Sequence, residues 1–524
     1  MQYIFRWILI CAISATVSCT ASRRTGTSKK DDGKLEVIFV QVNDVYEIAP
    51  TSGGKAGGMA RVATIKKEFK KQNANTFLVM AGDFVSPSVF NSLSFEGKRI
   101  RGKQMIESMN TAGIDLAIFG NHEFDIAEAE LQERINESTF TWIASNSFHK
   151  KNGTTKPFEK ISGTDISSFP QTLILPLTDS DGTTVKVGFI GITLPFNKTD
   201  YVDYSDPLGT AQKLYLQIKD SCDAVVAITH QVVDNDIILA EHLPNLAMIM
   251  GGHEHDMRIE KAGNVFITKA HANAKSVYVI KLIVDKNKKT SEAIPTLKML
   301  DNTVLPDSTT DAVIKKWTEI ANQNYTSLGF DANKVVIASG DSLDGRETET
   351  RSGITNLTEM IPKAMSAACP ESVMSIMNAG SIRVDDILYP PITQYDILRT
   401  LPFGGPIREA EIKGGLLLDV LEAGERNRGS GGFLHYYPIQ NRPSQSDPTR
   451  GEWILNDQPI DTAKIYRVAF TDFLVTGKEA NLGFLNKDNP AMIKLHDGTT
   501  SPTDLRSDIR LALIKYLEKL KSIP

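Results

Sequence analysis

The sequence predicts an α/β protein built from helices packed on sheets. Short runs rich in Val, Ile and Phe alternate with amphipathic segments along the chain, which is typical of buried strands covered by helices. The 524 residues are 41% hydrophobic and 23% charged, a composition typical of globular proteins with two or three domains. The formal net charge is −5 and no block of Lys and Arg stands out, so a nucleic-acid partner is not expected.

The chain begins with a segment typical of secretion signals. Residues 8–17, ILICAISATV, form an apolar stretch that is too short to span a bilayer. TVSC places a small residue directly before Cys19, as in lipoprotein signals, although Thr16 stands where Leu is usual. We predict a lipoprotein-type signal peptide over 1–18, with a plain signal peptide cut nearby as the alternative.

Residues 19–34 are rich in Ser, Thr, Lys and Arg, and we predict that they form a flexible tether. The protein is therefore expected to be exported to the cell envelope. A lipid on Cys19 would be its only membrane contact, and the protein would face the periplasm or the cell surface.

Seven runs after the tether have the composition of buried strands. They are LEVIFVQV, TFLVMAG, DLAIFGN, TVKVGFIGIT, DAVVAITH, AMIMGGHEH and VYVIKLIVD. Helical patterns such as GGMARVATIKKEFKKQ lie between them, and we predict one domain over 35–306. From Asp307, DSTTDAVIKKWTEIANQNYTSLG has Asp and Thr at its start and Gly at its end, which predicts an amphipathic linker helix within 307–332.

A second domain is predicted over 333–524. It contains the helical pattern NLTEMIPKAMSAA and the buried runs VMSIMNAG and IYRVAF. A closing helix is predicted for TDLRSDIRLALIKYLEKL, from residue 503 onward.

Five polar clusters follow predicted strands of the first domain: VNDVYE, AGDF, GNHEFD, ITH and GGHEH. Functional side chains collect at the carboxyl ends of strands in α/β sheets. The clusters supply carboxylates, an amide and imidazoles, which are ligands for divalent cations. A carboxylate can bridge two cations, so the set predicts two divalent metal ions, of Zn, Mn, Mg or Co.

Each candidate ligand has an expected role. Asp83 is the candidate bridge, and Asp44 is a terminal carboxylate. Asn121 would supply an amide oxygen, while His230 and His253 would supply nitrogen. Two such ions lower the pKa of a water and clamp the oxygens of a phosphoryl group.

His122 has a different expected role, since it neighbours Asn121 and therefore points elsewhere on the turn. We expect its ring to face the substrate, with Asp125 orienting it. An imidazolium there would stabilise charge on the phosphoryl group or protonate the leaving oxygen.

The ordered motifs NDxx, GD, GNHEFD, TH and GGHxH resemble the calcineurin-like metallophosphoesterases, and most closely the 5′-nucleotidase family. The resemblance implies an N-terminal four-layer α/β/β/α catalytic sandwich followed by a smaller α+β C-terminal domain that binds substrate. The family usually has NDxH where this chain has Tyr46. Either Tyr46 packs nearby and His255 or water completes the coordination, or its phenolate ligates and favours Fe³⁺.

Motifs of the second domain carry the same resemblance. NAGSIR resembles the family's NGGxIR turn, which implies that Asn378 contacts a nucleoside and that Arg383 contacts a phosphate or the ribose side. DGRETETRSG resembles a stretch with a substrate-binding arginine, best matched by Arg346. LPFGG and TDFLVTG imply that Phe403 and Phe473 stack on the two faces of a base, the alternative being that both pack in the core.

The loop after Phe473 departs from the family, whose NGGDGF-type loop places an Asp on the base or ribose. Alignment from Phe473 puts Glu479 at that position, whereas alignment from Gly483 puts Leu482 there. The hydrogen-bonding edge offered to a ligand has changed in either case.

Together these features predict an exported phosphohydrolase with two metal ions, acting on nucleoside 5′-phosphates or related nucleotides by metal-activated water attack. One alternative is the same chemistry on a nucleotide sugar, a cyclic nucleotide or a cofactor diphosphate. Another is a lipoprotein that binds a nucleotide or metal without turnover. The sequence makes no prediction about oligomeric state.

Overall fold

A computed structural model describes residues 31–196, 199–443 and 451–520 of the chain. The predicted signal peptide, Cys19 and most of the predicted tether lie outside the described residues. Within the described ranges, every helix is too short or too polar to cross a membrane.

Two six-stranded sheets form the centre of the N-terminal domain. The first sheet has the strand order Thr290–Met299, Ser276–Asp285, Lys34–Val42, Thr76–Met80, Leu116–Ile118 and Thr141–Ile143. The second has the order Thr172–Thr178, Thr184–Thr193, Ala224–His230, Met248–Gly252, Val265–Lys269 and Arg258–Ala262. The sheets face each other across a shared apolar core, where the rings of Phe39 and Phe189 lie 5.8 Å apart.

Helices cover both outer faces of this pair of sheets. The first sheet packs against Met59–Gln72, Lys103–Ala112 and Glu128–Glu137, and the second against Pro207–Ile218 and Val233–His242. The four-layer α/β/β/α prediction is therefore confirmed. Shorter strands complete the domain: Ser94–Phe95, Lys98–Arg99, Ser147–Lys151, Thr154–Lys156, Glu159–Ser162, Asp165–Ser168 and Val202–Tyr204.

The helix Ser308–Ser327 follows the N-terminal domain and packs against Met59–Gln72 and Lys103–Ala112. It begins where Asp307 accepts a hydrogen bond from the Thr310 backbone N–H, as expected for an N-cap. Its Trp317 is fully buried, and the indole N–H donates to Glu107 at 2.8 Å. The predicted linker helix is therefore present and fixed to the N-terminal domain, while the domain boundaries themselves stay predictions.

The C-terminal domain is built on a five-stranded sheet with the order Leu434–Tyr437, Met374–Asn378, Ile465–Thr471, Ile407–Lys413 and Met492–Leu495. Its helices are Glu347–Ser352, Asn356–Ala368, Gln394–Thr400, Gly414–Arg426 and Ile509–Leu520. Smaller strands are Val335–Ile337, Leu343–Asp344, Ile387–Leu388, Ile392–Thr393, Ile439–Pro443, Gly451–Leu455 and Gln458–Pro459. This mixture of helices and mainly antiparallel strands confirms the α+β prediction.

The closing helix starts six residues later than the predicted residue 503 and begins at Ile509. Asp504 accepts a hydrogen bond from the Arg506 backbone N–H and closes a separate short turn, Leu505–Ser507. Asp508 then has extended backbone, which ends that turn before the helix begins. Local side-chain bonds to the backbone compete with helix formation at these positions.

The topology directs the polar clusters to one edge of the sandwich. Neighbouring strands Lys34–Val42, Thr76–Met80 and Leu116–Ile118 are parallel, as are Ala224–His230 and Met248–Gly252 in the other sheet. Their carboxyl ends therefore meet on one side. The C-terminal domain lies against this edge, where Lys275 pairs with Asp386 at 2.7 Å.

Candidate metal centre and substrate cleft

Three predicted ligands from both sheets meet at the strand ends. Asp44, Asp83 and His230 are buried, and their ligand atoms all lie within 4.8 Å of one another. The His230 Nε2 atom is 3.0 Å from Asp83 Oδ2 and 3.8 Å from Asp44 Oδ1. Two buried carboxylates beside an imidazole are a donor set that fits a divalent cation.

The backbone around these ligands is held in an uncommon conformation. The φ angle is +53° at Asp44, +57° at Asp83 and +89° at His253, in the left-handed region that residues with a side chain rarely adopt. The turns also approach each other closely, since a Cβ atom on Gly120 would lie 2.1 Å from Asp83 Oδ1. Backbone strain of this kind is concentrated at functional sites.

Contacts outside the triad orient its side chains. The His230 Nδ1 atom lies 2.8 Å from the Ala81 carbonyl oxygen, so its Nε2 atom faces the carboxylates. Asp44 Oδ2 accepts hydrogen bonds from the Asn43 amide at 2.7 Å and from the His253 backbone N–H at 2.9 Å. These bonds leave Asp44 Oδ1 directed toward His230.

Glu123 is a site residue that the motifs do not predict, and its side chain lies against the Asp83 turn. Its fully buried carboxylate accepts four backbone hydrogen bonds, at 2.6 to 3.0 Å, from Asp83, Phe84, Val85 and Gly120. Burial and the neighbouring Asp83 raise the pKa of Glu123 to about 7. Its place within GNHEFD was the available signal, because a carboxylate there reaches back to the preceding turn.

Burial and charge shift the pKa values of the triad in opposite directions. Burial alone would raise the pKa of Asp83, but the imidazoles of His230 and His122 outweigh it and hold that pKa well below its usual range. Burial alone would lower the pKa of His230, but Asp83 and Asp44 raise it to about 10. A cation bound by these groups would therefore compete with the proton on His230.

His253 lies next to the triad, with its ring centre 5.5 Å from that of His230. Burial and the nearby His230 lower the pKa of His253 to about 3. Its imidazole is therefore neutral at physiological pH, the form that ligates metals.

Tyr46 reaches the centre of the site. Its hydroxyl oxygen lies 3.4 Å from Asp44 Oδ1, 3.3 Å from Asp83 Oδ2 and 3.0 Å from His255 Nε2. Burial and the two carboxylates raise the pKa of Tyr46 well above its usual value. Both sequence-based alternatives, packing and ligation, place the oxygen near these carboxylates, so ligation by Tyr46 stays a prediction.

His255 is directed toward the C-terminal domain. Its Nδ1 atom forms an ion pair with Asp385, and its Nε2 atom contacts Tyr46. Burial alone would lower the pKa of His255, but Asp385 raises it to about 9. The Nε2 atom also lies 3.7 Å from Asp44 Oδ1, so ligation by His255 stays a prediction.

His122 lies between Asp83 and the C-terminal domain. Its backbone N–H donates to Asp83 Oδ1 at 2.8 Å, and its Nδ1 atom is 2.6 Å from Asp125 Oδ2. The Nε2 atom faces Arg383 of the C-terminal domain, 3.4 Å away. Burial alone would lower the pKa of His122, but Asp83 and Asp125 raise it above its usual value.

A cavity of about 720 Å³ opens between the two domains beside these residues. Eight of the predicted site residues line it: Asn121, His122, His253, Asn378, Arg383, Phe403, Phe473 and Glu479. The cleft therefore brings candidate metal ligands and candidate substrate contacts onto facing walls, as in many ligand sites between domains.

The two aromatic residues of the C-terminal domain are available to a ligand. Phe403 is 66% exposed and Phe473 is 45% exposed, so the alternative of core packing does not apply. Phe196, which the sequence analysis missed, lines the same cavity from the N-terminal domain. It follows the strand Thr184–Thr193, and its place just beyond a strand end was the available signal.

The arginine contacts differ from the expectation for Arg346. Arg346 precedes the helix Glu347–Ser352 and pairs with Asp344 at 2.6 Å, with nearly half of its side chain exposed. Arg351 lies at the other end of this helix, lines the cavity and pairs with Glu347. The structure therefore places Arg351, and not Arg346, on the wall of the cleft.

The burial of the two candidate residues distinguishes between the two alignments of the altered loop. Leu482 is fully buried in the core of the C-terminal domain. Glu479 lines the cavity and accepts a hydrogen bond from the Asn378 amide at 2.7 Å. A ligand in the cleft would therefore face Glu479.

Comparison with known proteins agrees with this geometry. The family described as calcineurin-like phosphoesterase matches residues 38–257, and the family described as 5′-nucleotidase, C-terminal domain, matches residues 335–484. The fold and site define a metal-dependent hydrolase of phosphoric esters. The chain belongs to the 5′-nucleotidase family, in which a calcineurin-like phosphoesterase domain precedes a 5′-nucleotidase C-terminal domain.

Individual relatives are distant. The chain is 26% identical over 497 residues to the trifunctional nucleotide phosphoesterase protein YfkN of Bacillus subtilis, covering 85% of this chain and 32% of that protein. It is 24% identical over 507 residues to the 5′-nucleotidase of Bos taurus, covering 84% and 83%. The crystal structure of the 5′-nucleotidase precursor from Thermus thermophilus shares the fold, with a TM-score of 0.67, 21% identity and coverage of 93% and 97%.

Proposed function

We propose that this protein is an exported phosphohydrolase with two metal ions that removes phosphate from nucleoside 5′-phosphates or closely related nucleotides. The observation that carries the proposal is the cleft of about 720 Å³, whose walls hold Asn121, His122 and His253 on one side and Phe403 and Phe473 on the other. The cleft therefore fits a ligand with a phosphoester at one end and a flat ring at the other.

Asp44, Asp83 and His230 would hold one cation, and Asp83 would bridge to a second held with Asn121 and His253. Two bound cations would lower the pKa of a water and neutralise charge on the phosphoryl group. Asp44, Asp83 and His230 are buried, and the low dielectric around them strengthens the electrostatic contacts that they make.

His122 acts on the substrate from the edge of this centre. Asp125 fixes its Nδ1 side, so its Nε2 atom is presented to the cleft beside Arg383. A protonated His122 would donate to the phosphoryl group or to the leaving oxygen. The guanidinium of Arg383 would offer further N–H donors to the same negative charge.

The nucleoside end of a substrate would lie between the exposed rings of Phe403 and Phe473, which can stack on both faces of a base. Asn378 and Glu479 are hydrogen-bonded to each other at the cavity wall. Glu479 offers acceptor oxygens alone, so it favours ligand groups that donate, such as ribose hydroxyls or ring N–H groups.

A different phosphoester remains the second candidate, with a specific observation in its favour. The Bacillus subtilis relative is named a trifunctional nucleotide phosphoesterase, and the substituted Glu479 changes the hydrogen-bonding edge of the cleft. Nucleotide sugars, cyclic nucleotides and cofactor diphosphates belong to this candidate class.

The test is a substrate profile of the purified protein. Metals are removed by chelation and restored one at a time, and kcat/KM is measured for AMP, a UDP-sugar, coenzyme A and a 2′,3′-cyclic nucleotide. We expect no turnover after chelation and the highest kcat/KM for a nucleoside 5′-phosphate. Full activity without metal would contradict the metal mechanism, and a higher value for another ester would establish the second candidate.

We also propose that Cys19 carries a lipid, from the small residue that precedes it in TVSC. Growth with labelled palmitate should label the parent protein and leave Cys19→Ala unlabelled. Equal labelling of both proteins, or labelling of neither, would contradict the anchor.

A further inference from the structure

A buried ionic network lies directly behind the loops that carry His230 and His253. Lys269, the last residue of the strand Val265–Lys269, is fully buried. Its Nζ atom is 2.8 Å from Asp236 Oδ2, and it also pairs with Glu254. An ammonium group is rarely buried, because its desolvation must be offset by close charges and hydrogen bonds.

The same ammonium group bonds to the backbone of both ligand loops. It donates to the Gln231 carbonyl oxygen at 2.5 Å and to the Gly252 carbonyl oxygen at 2.8 Å. Gln231 directly follows His230, and Gly252 directly precedes His253. One side chain therefore joins the ends of two neighbouring strands at the points where the candidate imidazole ligands leave the sheet.

Further bonds connect the partners of Lys269 with one another. Glu254 Oε1 accepts from the Val233 backbone N–H at 2.6 Å, and the Gln231 amide donates to Asp236 Oδ1 at 3.0 Å. The packing is also tight, since a Cβ atom on Gly251 would lie 2.9 Å from Lys269 Cε. The loops therefore have little freedom to shift while the ammonium group is in place.

We propose that Lys269 is a positioning residue for the metal centre: it fixes the spacing of the His230 and His253 loops so that both imidazoles can reach the same pair of cations. The inference rests on the proposed function, which makes these histidines ligands. Loss of contacts that orient ligands typically weakens metal binding or activity by about 10- to 100-fold. We expect a loss in that range when the ammonium group is removed.

The test compares Lys269→Met with Lys66→Met, a matched control. Lys66 is also largely buried, pairs with Asp115 at 2.8 Å and bonds to the Gly113 carbonyl oxygen. Asp115 precedes the strand Leu116–Ile118, so the control lies at the opposite end of the sandwich from the ligand loops. Mn²⁺ binding is measured by equilibrium dialysis, alongside kcat and KM for AMP as a function of Mn²⁺ concentration.

We expect Lys269→Met to raise the Kd for Mn²⁺ tenfold or more and to shift the activation curve to higher Mn²⁺. The KM for AMP at saturating Mn²⁺ should stay within twofold of the parent, and Lys66→Met should bind Mn²⁺ as the parent does. If Lys269 contributed only to the stability of the fold, Lys269→Met and Lys66→Met would both have a lower melting temperature, and neither would change the Kd for Mn²⁺. That result would overturn the inference.

A second variant is needed in case Lys269→Met misfolds because its buried carboxylate partners are left unpaired. Lys269→Met combined with Asp236→Asn removes both members of the fully buried charge pair, a change that buried pairs often tolerate. If either the single or the double variant folds and binds Mn²⁺ with the parent's Kd, the inference is overturned. If neither variant folds, the inference is also overturned, because the network then serves the stability of the fold. If the parent binds none of Zn²⁺, Mn²⁺, Mg²⁺ and Co²⁺ and is inactive with each, the proposed function fails first; if it binds another of these ions better than Mn²⁺, the same comparison is made with that ion.

Discussion

Replacing Glu123 by Gln tests whether the ligand turn is held by one buried carboxylate. The change keeps the shape of the side chain, but its amide group carries hydrogens where one carboxylate oxygen stood. Glu123 Oε1 accepts from Phe84 and Val85, and Oε2 accepts from Asp83 and Gly120. The amide oxygen of the variant therefore still accepts two hydrogen bonds. Its NH₂ group faces two backbone N–H groups, from which it cannot accept.

The size of the effect follows from those lost bonds. A hydrogen bond to a charged group contributes about 1.5–3 kcal/mol, so two lost bonds cost about 3–6 kcal/mol of the unfolding free energy. The neutral amide regains part of this, because it avoids the burial of charge that raises the pKa of Glu123. The net loss is a few kcal/mol. For a domain of this size that corresponds to a fall in Tm on the order of 10 °C. The Asp83 and Gly120 N–H groups lie on the metal side, so binding of Mn²⁺ should weaken as well.

The assay is thermal unfolding followed by circular dichroism, at pH 8, above the raised pKa of about 7 at which Glu123 ionises. Glu130→Gln is the matched control, because Glu130 is partly exposed and accepts one backbone hydrogen bond, from Ala127. We expect a change within about 1 kcal/mol for the control. A Glu123→Gln protein with the parent's Tm and metal affinity would refute the reasoning.

Three further predictions concern catalysis and substrate binding. His122→Ala should lower kcat by about 10²- to 10⁴-fold, the usual contribution of a general acid, while the amount of bound metal stays the same. A kcat within threefold of the parent would show that His122 has no role in the reaction. Because Asp83 and Asp125 outweigh burial and raise the pKa of His122, kcat should fall with rising pH only above the usual imidazole value near 6.5. Asp125→Asn should move that fall to lower pH, and an unmoved profile would contradict the assignment. Phe403→Ala and Phe473→Ala should each raise the KM for AMP by about 5- to 150-fold, as loss of a stacking contact of about 1–3 kcal/mol requires, and unchanged KM values would contradict the base site.

The sandwich and the meeting of its polar clusters at one edge were predictable because five of the predicted strands end in a recognisable polar cluster. Parallel neighbours place their carboxyl ends at one edge, so a run such as DAVVAITH predicts both a buried strand and the position of His230. The contact between Asp83 and His230 then follows from two sheets packed face to face. Five ordered motifs were enough to specify this part of the molecule.

Contacts that depend on helix phase were harder to predict. Arg346 and Arg351 lie five residues apart at the two ends of one short helix, and the structure directs the second toward the cleft. The closing helix starts later than predicted because Asp504 closes a short turn and Asp508 has extended backbone before Ile509. Such side-chain bonds to the backbone leave little trace in the hydrophobic pattern.

Contacts between distant segments could not be predicted from the sequence. The Tyr46 hydroxyl meets His255, which in turn pairs with Asp385 of the other domain. A lysine at the end of a strand normally reaches solvent, so nothing in the run VFITK shows that Lys269 is buried. These partners are far apart in the chain, and only the packing of the two sheets and two domains brings them together.

The number of divalent cations bound per chain tests the central claim most directly. Elemental analysis of the parent protein after dialysis against trace metals should give two ions per chain. Asp83→Asn should lose both, because the bridging carboxylate contributes to each site. Full phosphoesterase activity in a metal-free parent, or two retained ions in Asp83→Asn, would contradict the account.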